Sequence, residues 1–334
     1  MVSELVGDVR AQRAGEQRCQ AWSAAQDVAT HQGLRPREGV LILGDNRPHL
    51  YMGMLALGAL GAHAMPMYPD ATPQEILLVA MEHGVRFVLA EDQEQVDKAL
   101  DLRARGAPIE FIVFDNPRGL GPYTAEGLND WRKVVELGQR CMEQVPGLRS
   151  NLVERAQPDD PAVLIHSSGT TGKPKGVVLS HRNVLSGVGN AHQSGAFEFG
   201  EEILAYLPMA WVGDFAITMG AGIALRFVIN IPEGAETVLH NLREIAPTFY
   251  LAAPRSWDNM LTTVQVRMED STPMKKALYD FFMRSALAAE RRKLDGQLPT
   301  TWQRLLRPLG ELLVSGPIKD QLGLSRLRHA FTGG

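Results

Sequence analysis

The sequence predicts an α/β protein organised as two successive α/β subdomains. Short apolar runs alternate with helical patterns along most of its length. Several of those helices carry their own start signals. A length of 334 residues also exceeds what one typical core organises. In chain order, apolar runs at 40–44, 63–67, 86–90 and 110–114 read as strands, and patterns near 47–62, 73–83 and 93–104 read as the helices between them. This is repeated βα winding. Thr72, Pro73 and Glu75 form a capping box with proline at the first helical position, Asp92 with Gln95 is a weaker version, and Gly84 is a stop. Between 116 and 160 the rhythm is lost among prolines and glycines, which sets the expected boundary between subdomains 1–155 and 156–334. Ser180 can cap a helix over 181–194, strands follow at 202–206, 226–231 and 247–252, and residues 258–325 are mainly helical.

Composition narrows the class of protein. A net charge of −4 and a pI near 6.2 give no reason to propose a nucleic-acid partner. Cys19 and Cys141 are far apart and form no CxxC, so free thiols in a reducing, cytoplasmic setting are expected rather than a disulfide scaffold. The N-terminus is charged and lacks an apolar h-region. The apolar stretch Leu50–Ala62 is too short to span a bilayer and reads as a buried helix. Gly58, Gly61 and Ala64 imitate part of a dinucleotide fingerprint, but they fall inside a helical pattern, where helix packing accounts for them.

The most informative stretch is residues 164–176, LIHSSGTTGKPKG. Apolar runs at 162–165 and 177–179 read as strands on either side, so the loop is expected to be held at both ends by a sheet. Gly169, Gly172 and Gly176 allow main-chain N–H groups to approach an anion closely. Ser167, Ser168, Thr170 and Thr171 add hydroxyl donors, and Lys173 and Lys175 offset charge. Charge-assisted hydrogen bonds of this kind contribute roughly 1.5–3 kcal/mol each in a dry site, so a few of them can hold a triphosphate. The P-loop of kinases and GTPases is excluded twice: Ser167 stands where its first glycine is required, and Lys173 is followed by Pro174 rather than by a hydroxyl.

Residues 164–175 resemble the signature of the AMP-forming adenylating superfamily, which includes acyl-CoA synthetases, luciferases and peptide-synthetase adenylation domains. GVLILGDNRP at 39–48 resembles an early strand–helix unit of that family, and LPMAWVG at 207–213 its acyl-site motif. FYLAAPRSW at 249–257 and LRHAFTGG at 327–334 resemble the long-chain acyl-CoA synthetase branch. The resemblance implies a large domain of two doubly wound subdomains, with the chain ending before the C-terminal domain. The implied chemistry is attack of a carboxylate on the α-phosphorus of ATP, giving acyl adenylate and pyrophosphate, followed by transfer of the acyl group to coenzyme A. It implies ATP, Mg2+ and coenzyme A as partners, and Lys175 and Thr170, with Thr171, at the β and γ phosphates. The implied site adds Ser167, Ser168, Gly169, Gly172, Lys173 and Gly176 around the phosphates and places Gly333 and Gly334 beside the adenylate.

Alternatives remain open at several positions. By analogy Trp211 gates the acyl tunnel, or it is a core tryptophan. Arg255 and Trp257 line the acyl pocket or cap the following helix. His166 and His181 flank the loop without a carboxylate or cysteine at ligand spacing, which favours structural roles. The basic residues Lys275, Lys276, Arg291, Arg292, Lys293, Arg304 and Arg307, with Trp302, Leu305, Leu306 and Leu309, form either a solvated face or a peripheral contact with anionic membrane over 275–309. The adenine- and ribose-binding segments and the mobile C-terminal domain of the family have no counterpart in these 334 residues, so weak triphosphate binding and inefficient turnover are expected of this chain alone. A non-catalytic nucleotide- or acyl-binding module, and a ligase for an aryl or other acid, are the alternatives.

Overall fold

The computed structural model describes residues 33–144, 156–167 and 175–333, and the chain divides into two compact units. The first unit is organised by a seven-stranded sheet in the order β5-β4-β3-β1-β2-β6-β7, with β1 Gly39–Leu43, β2 His63–Pro66, β3 Phe87–Ala90, β4 Phe111–Phe114, β5 Leu128–Asp130, β6 Pro161–Ser167 and β7 Lys175–Ser180. Every pairing is parallel except β6 with β7. Strands β1 to β4 are nearly continuous apolar runs, as a sheet covered on both faces requires. One face carries Leu41, Val88 and Ile112, which are in register with one another and pack against α2 (Pro73–Glu82) and α3 (Gln93–Ala104). The alternate residues Val40, Phe87 and Phe111 lie with Leu57 of α1 (Pro48–Ala59) and Trp131 and Val134 of α4 (Trp131–Gln144) around a narrow space of about 50 Å³. The period-two alternation of each strand thus serves two helical layers.

The expected caps form. The Glu75 N–H donates to Thr72 Oγ1 at 3.3 Å while the Thr72 N–H donates to Glu75 Oε2 at 2.8 Å, and the Gln95 N–H donates to Asp92 Oδ1 at 3.2 Å. Gly84 follows α2 with φ +58°, a left-handed conformation that glycine adopts without strain. Leu50 and Tyr51 are buried in α1, and no helix among the described residues is long and apolar enough to cross a membrane. Gly58 lies inside α1, where an added Cβ would stand 3.3 Å from the His181 ring, so close packing accounts for it.

The boundary expected at 155/156 is not where the units divide. The first unit runs to Phe197 and also takes Leu207–Arg226, while the second comprises Glu198–Tyr206 and Phe227–Gly334. The cause is the pairing of β6 with β2, Ala64 opposite Val163, which adds the 161–180 hairpin to the first sheet. Residues 128–144, within the stretch where the sequence rhythm is lost, form β5 and α4. In the second unit the strands are short: β8 Glu202–Leu204 pairs in parallel with β9 Val228–Asn230, and β10 Phe249–Ala252 with β11 His329–Thr332. The described residues therefore form two small parallel pairs there, where a second doubly wound sheet is expected. Leu204, Leu242, Tyr250, Ala252, Met260 and Leu324 make the unit's core.

Candidate functional site

The glycine-, hydroxyl- and lysine-rich stretch 168–174 connects the two strands of the β6–β7 hairpin. Ser167 pairs with Lys175, His166 with Gly176 and Ile165 with Val177 in antiparallel register. Paired residues of an antiparallel ladder stand about 5 Å apart, so the chain leaves and re-enters the sheet at one place at its edge. Ser168, Gly169, Thr170, Thr171, Gly172 and Lys173 lie outside the described residues. Lys175 is an exposed strand residue, so its position is set by the ladder. At Gly176 a Cβ would stand 3.3 Å from Leu164 and 3.6 Å from His166 Nε2, so a small residue suits the crossing. The Ser180 N–H donates to Asn183 Oδ1 at 3.0 Å and the Asn183 N–H to Ser180 Oγ at 3.2 Å, which starts α5 (His181–Gln193) at the end of β7.

Burial lowers the pKa of His166 and His181, and the neighbouring His83 lowers that of His166 further. His83 meets His166 edge to face at 5.8 Å. Both imidazoles beside the hairpin are thereby biased toward the neutral form.

The segment 207–213, expected from its resemblance to be an acyl-site motif, is anchored by residues that the sequence reading does not single out. Trp211 precedes a helix that starts at Val212–Phe215 and runs through a π-helical stretch, Ala216–Ala221, to Ala224. The Trp211 ring lies over Gly213, where a Cβ would fall 2.0 Å from the ring, so tryptophan and glycine are paired by space. Asn46, just after β1, donates from Nδ2 to the Leu207 carbonyl at 2.9 Å and to Tyr51 Oη at 2.9 Å. Tyr51 Oη in turn donates to Asp214 Oδ2 at 2.8 Å, and Thr218 Oγ1 donates to the Asp214 carbonyl at 2.7 Å. All four side chains are buried. Burial raises the Asp214 pKa to about 7, with the Tyr51 and Thr218 hydrogen bonds opposing it. Phe215, Met219 and Ile223 of the same helix line an apolar cavity of about 670 Å³ together with Met54, Leu55 and Leu185.

In the second unit, Arg255 and Trp257 occupy the first turn of α8 (Pro254–Glu269), inside the helix rather than at its cap. Arg255 is exposed. Trp257 Nε1 donates to the Phe331 carbonyl at 3.2 Å, and its ring meets Tyr250 edge to face at 5.3 Å. Trp257 therefore ties α8 to β11, the strand that leads into Gly333, while Gly334 lies outside the described residues. The base of β11 is fixed by Glu201, which is fully buried and accepts from Arg328 Nη2 at 3.1 Å, from His329 Nδ1 at 2.9 Å and from Thr248 Oγ1. Glu198, Glu201 and His329 bring ligand-type atoms within 4.8 Å of one another. Arg328 already supplies a cation there, and an imidazole is a poor partner for Mg2+, which takes oxygen ligands. This cluster does not fit the metal of the expected reaction.

The family model described as AMP-binding enzyme matches residues 16–334. The chain belongs to the AMP-binding enzyme family. Among curated relatives, a long-chain-fatty-acid–CoA ligase, ACSBG2 of Xenopus laevis, is 25% identical over 313 residues, covering 90% of this chain and 41% of the relative. The corresponding ACSBG1 of Rattus norvegicus is 23% identical over 309 residues, with 90% and 42% covered. This chain thus spans about two fifths of the length of those relatives. Among solved structures, the adenylation domain of a carboxylate reductase from Mycobacterium chelonae superposes with a TM-score of 0.60 at 16% identity, over 96% of this chain and 46% of that one. A long-chain-fatty-acid–CoA ligase from Archaeoglobus fulgidus gives a TM-score of 0.58 at 18% identity, over 77% and 47%. At these identities the structures establish the α/β fold of the family's N-terminal part.

Asp214 yields a stability prediction. Its folded pKa of about 7 lies above the ordinary 3.8, so between those values the native state keeps a proton that the unfolded chain has released. Stability therefore falls as pH rises through that window and is level above it. Asp214→Asn retains an acceptor for Tyr51 and removes the titration. The gain in unfolding free energy over the unaltered protein, followed by thermal melts as a rise in Tm, is expected to grow from pH 4 to pH 7 and then stay constant, reaching on the order of a few kcal/mol. A gain or loss independent of pH would contradict burial as the cause.

Proposed function

We propose that this chain carries the ATP-phosphate and acyl-site parts of an AMP-forming ligase that activates a long-chain fatty acid to acyl-AMP and then to acyl-CoA. The observation that carries the reading is the adenylating signature seated on the β6–β7 hairpin, with Ser167 and Lys175 paired at its base. A carboxylate approaching a triphosphate meets strong repulsion, and leaving pyrophosphate must be stabilised, so fixed donors and cations are the central requirement. Lys175, Thr170 and Thr171 meet it at the β and γ phosphates, with Ser167, Ser168, Gly169, Gly172, Lys173 and Gly176 completing the cradle. Mg2+ supplies further charge neutralisation when bound, and coenzyme A is the acyl acceptor.

The fatty-acid assignment rests on the resemblance of 207–213 to an acyl-site motif and on the cavity lined by Phe215, Met219 and Ile223 of the helix that Trp211 precedes. An apolar space of about 670 Å³ falls within the size range of small-molecule sites, and its lining of methionine, leucine and phenylalanine suits an alkyl chain. The names of the relatives point the same way. A peripheral contact with anionic lipid over 275–309 is part of the proposal. In α10 (Thr301–Gly310) Trp302, Leu305 and Leu309 are exposed on one side, while Arg304 and Arg307 are exposed on the other, with long side chains that can reach toward an interface. Membrane contact would bring the enzyme to the phase in which long-chain acids partition.

ATP–pyrophosphate exchange with palmitate tests the reading, on this chain and on any longer product of its reading frame. The short span relative to the ligases leads us to expect little exchange from this chain alone. In whichever form is active, Lys175→Ala is expected to lower exchange about 10²-fold or more. Exchange with benzoate but not palmitate would replace the fatty acid by an aryl acid, and exchange with neither, despite ATP binding, would favour a binding module. For the membrane contact, co-sedimentation is expected with phosphatidylserine vesicles and not with neutral ones, and to be reduced in Arg304→Glu/Arg307→Glu. Equal sedimentation with both vesicle types would leave the helices as a solvated face.

A further inference from the structure

The carboxyl end of β1 is the point from which the sheet winds in two directions, toward β2 on one side and β3 on the other. Crevices at such switch points are where open α/β sheets receive ligands. Here the residues just after β1 take hold of the protein's own acyl-site segment. Asn46 accepts no exposed role: it is buried and holds the Leu207 carbonyl, and Tyr51, five residues on, holds the Asp214 carboxyl. The Asn46-to-Tyr51 hydrogen bond joins the two holds into one unit. The segment 207–214 is therefore gripped at both ends from a single short stretch of chain, and Trp211 lies between the grips. Within the segment, the Trp211 N–H donates to the Pro208 carbonyl at 2.9 Å and the Asp214 N–H to the Trp211 carbonyl at 3.1 Å, so movement at either end is passed to the tryptophan.

We infer that Asn46, Tyr51 and Asp214 are positioning residues that set the placement of Trp211, and through it the affinity for the carboxylic-acid substrate, while leaving ATP binding to the hairpin loop. The inference rests on the reading of 207–213 as the acyl site. A chain that needed only a packed helix at this point would be served by apolar side chains in a region otherwise made of alanine, isoleucine, methionine and phenylalanine. Placing an acid, a phenol and an amide there costs desolvation that the hydrogen bonds must offset, and what the arrangement provides in return is one defined geometry. Ionised Asp214, within one turn of Trp211, also repels a carboxylate arriving at that turn. Among titratable groups, Tyr51 touches Asp214 directly. Arg47, paired with Glu91, stands next to Asn46 in the chain, and His181 and Arg182 of α5 line the adjoining cavity.

The test is binding of dodecanoate to the 334-residue chain, followed by tryptophan fluorescence, with Trp211→Phe defining the part of the signal that belongs to Trp211. The unaltered protein is expected to bind, and to bind more weakly as pH rises from 6 to 8.5. Tyr51→Phe, which preserves the ring and its packing, is expected to weaken dodecanoate binding roughly tenfold with the ATP affinity unchanged within about twofold. Asp214→Asn is expected to bind as the unaltered protein does at pH 6 and to lose the pH dependence. Circular dichroism establishes that each variant is folded. Dodecanoate affinity and pH profile equal to the unaltered protein in both variants would overturn the inference while leaving the acyl-site reading intact. Parallel loss of ATP and dodecanoate binding would reduce the three residues to general structural support. A complete lack of Trp211-dependent binding in the unaltered protein would overturn the acyl-site reading and the inference with it.

Discussion

The antiparallel pairing of β6 with β7 is the constraint on which the rest of the first unit's chemistry depends. In a sheet otherwise wound in parallel, one reversal at the edge returns the chain to its starting point after seven residues, and those seven residues are the hydroxyl-, glycine- and lysine-rich loop. A parallel continuation would have needed a crossover of a dozen residues or more and would have put Ser167 and Lys175 at opposite ends of their strands. The hairpin instead places a cation at the base of the loop with no flexible linker between it and the core. β6 is fastened to β2 on its inner side and has its apolar residues Val163, Leu164 and Ile165 buried, so the base of the loop inherits the rigidity of the sheet.

Each unit also contains a buried acid that orders a backbone segment near a motif. In the first, Asp214 and Tyr51 hold the segment that carries Trp211. In the second, Glu201 gathers Arg328, His329 and Thr248 at the start of β11, which leads to Gly333. The two acids are treated differently by their surroundings. Glu201 has a guanidinium and an imidazole beside it, whereas the hydrogen-bond partners of Asp214 are hydroxyls, and burial pushes its pKa to about 7. A compensated carboxylate fixes a strand; an uncompensated one near neutrality leaves the local structure sensitive to a proton.

What the sequence made legible was local. The capping box of Thr72, the cap at Ser180, the apolar strands and the two strands that flank the loop are written in residues within a few positions of one another, and these appear at the expected places. The α/β class follows from them. What was not legible depends on distant partners. Tyr51 meets Asp214 across 163 residues and Glu201 meets Arg328 across 127, and neither pairing leaves a spacing signal in the chain. One local hint existed: Asp214 is the single charged residue in an otherwise apolar run after Trp211, and a lone acid in such a run needs a buried partner. The unit boundary was misplaced because the proline- and glycine-rich stretch before 160 resembles a linker, whereas membership of a sheet is decided by β2–β6 pairing, which composition does not report. The strand β5 was missed because its three residues, Leu128, Asn129 and Asp130, are a weak strand pattern stabilised by the edge of β4.

The central claim is that the hairpin loop holds the β and γ phosphates of ATP through its own hydroxyls and Lys175. The most direct test is phosphorus NMR of MgATP titrated with the 334-residue chain, compared with Lys175→Ala and with Thr170→Val/Thr171→Val. The account predicts saturable shifts of the β and γ resonances larger than that of the α resonance, and at least about tenfold weaker binding in both variants. Shifts of equal size in the unaltered protein and in the variants would contradict it, and would place the triphosphate somewhere other than the loop.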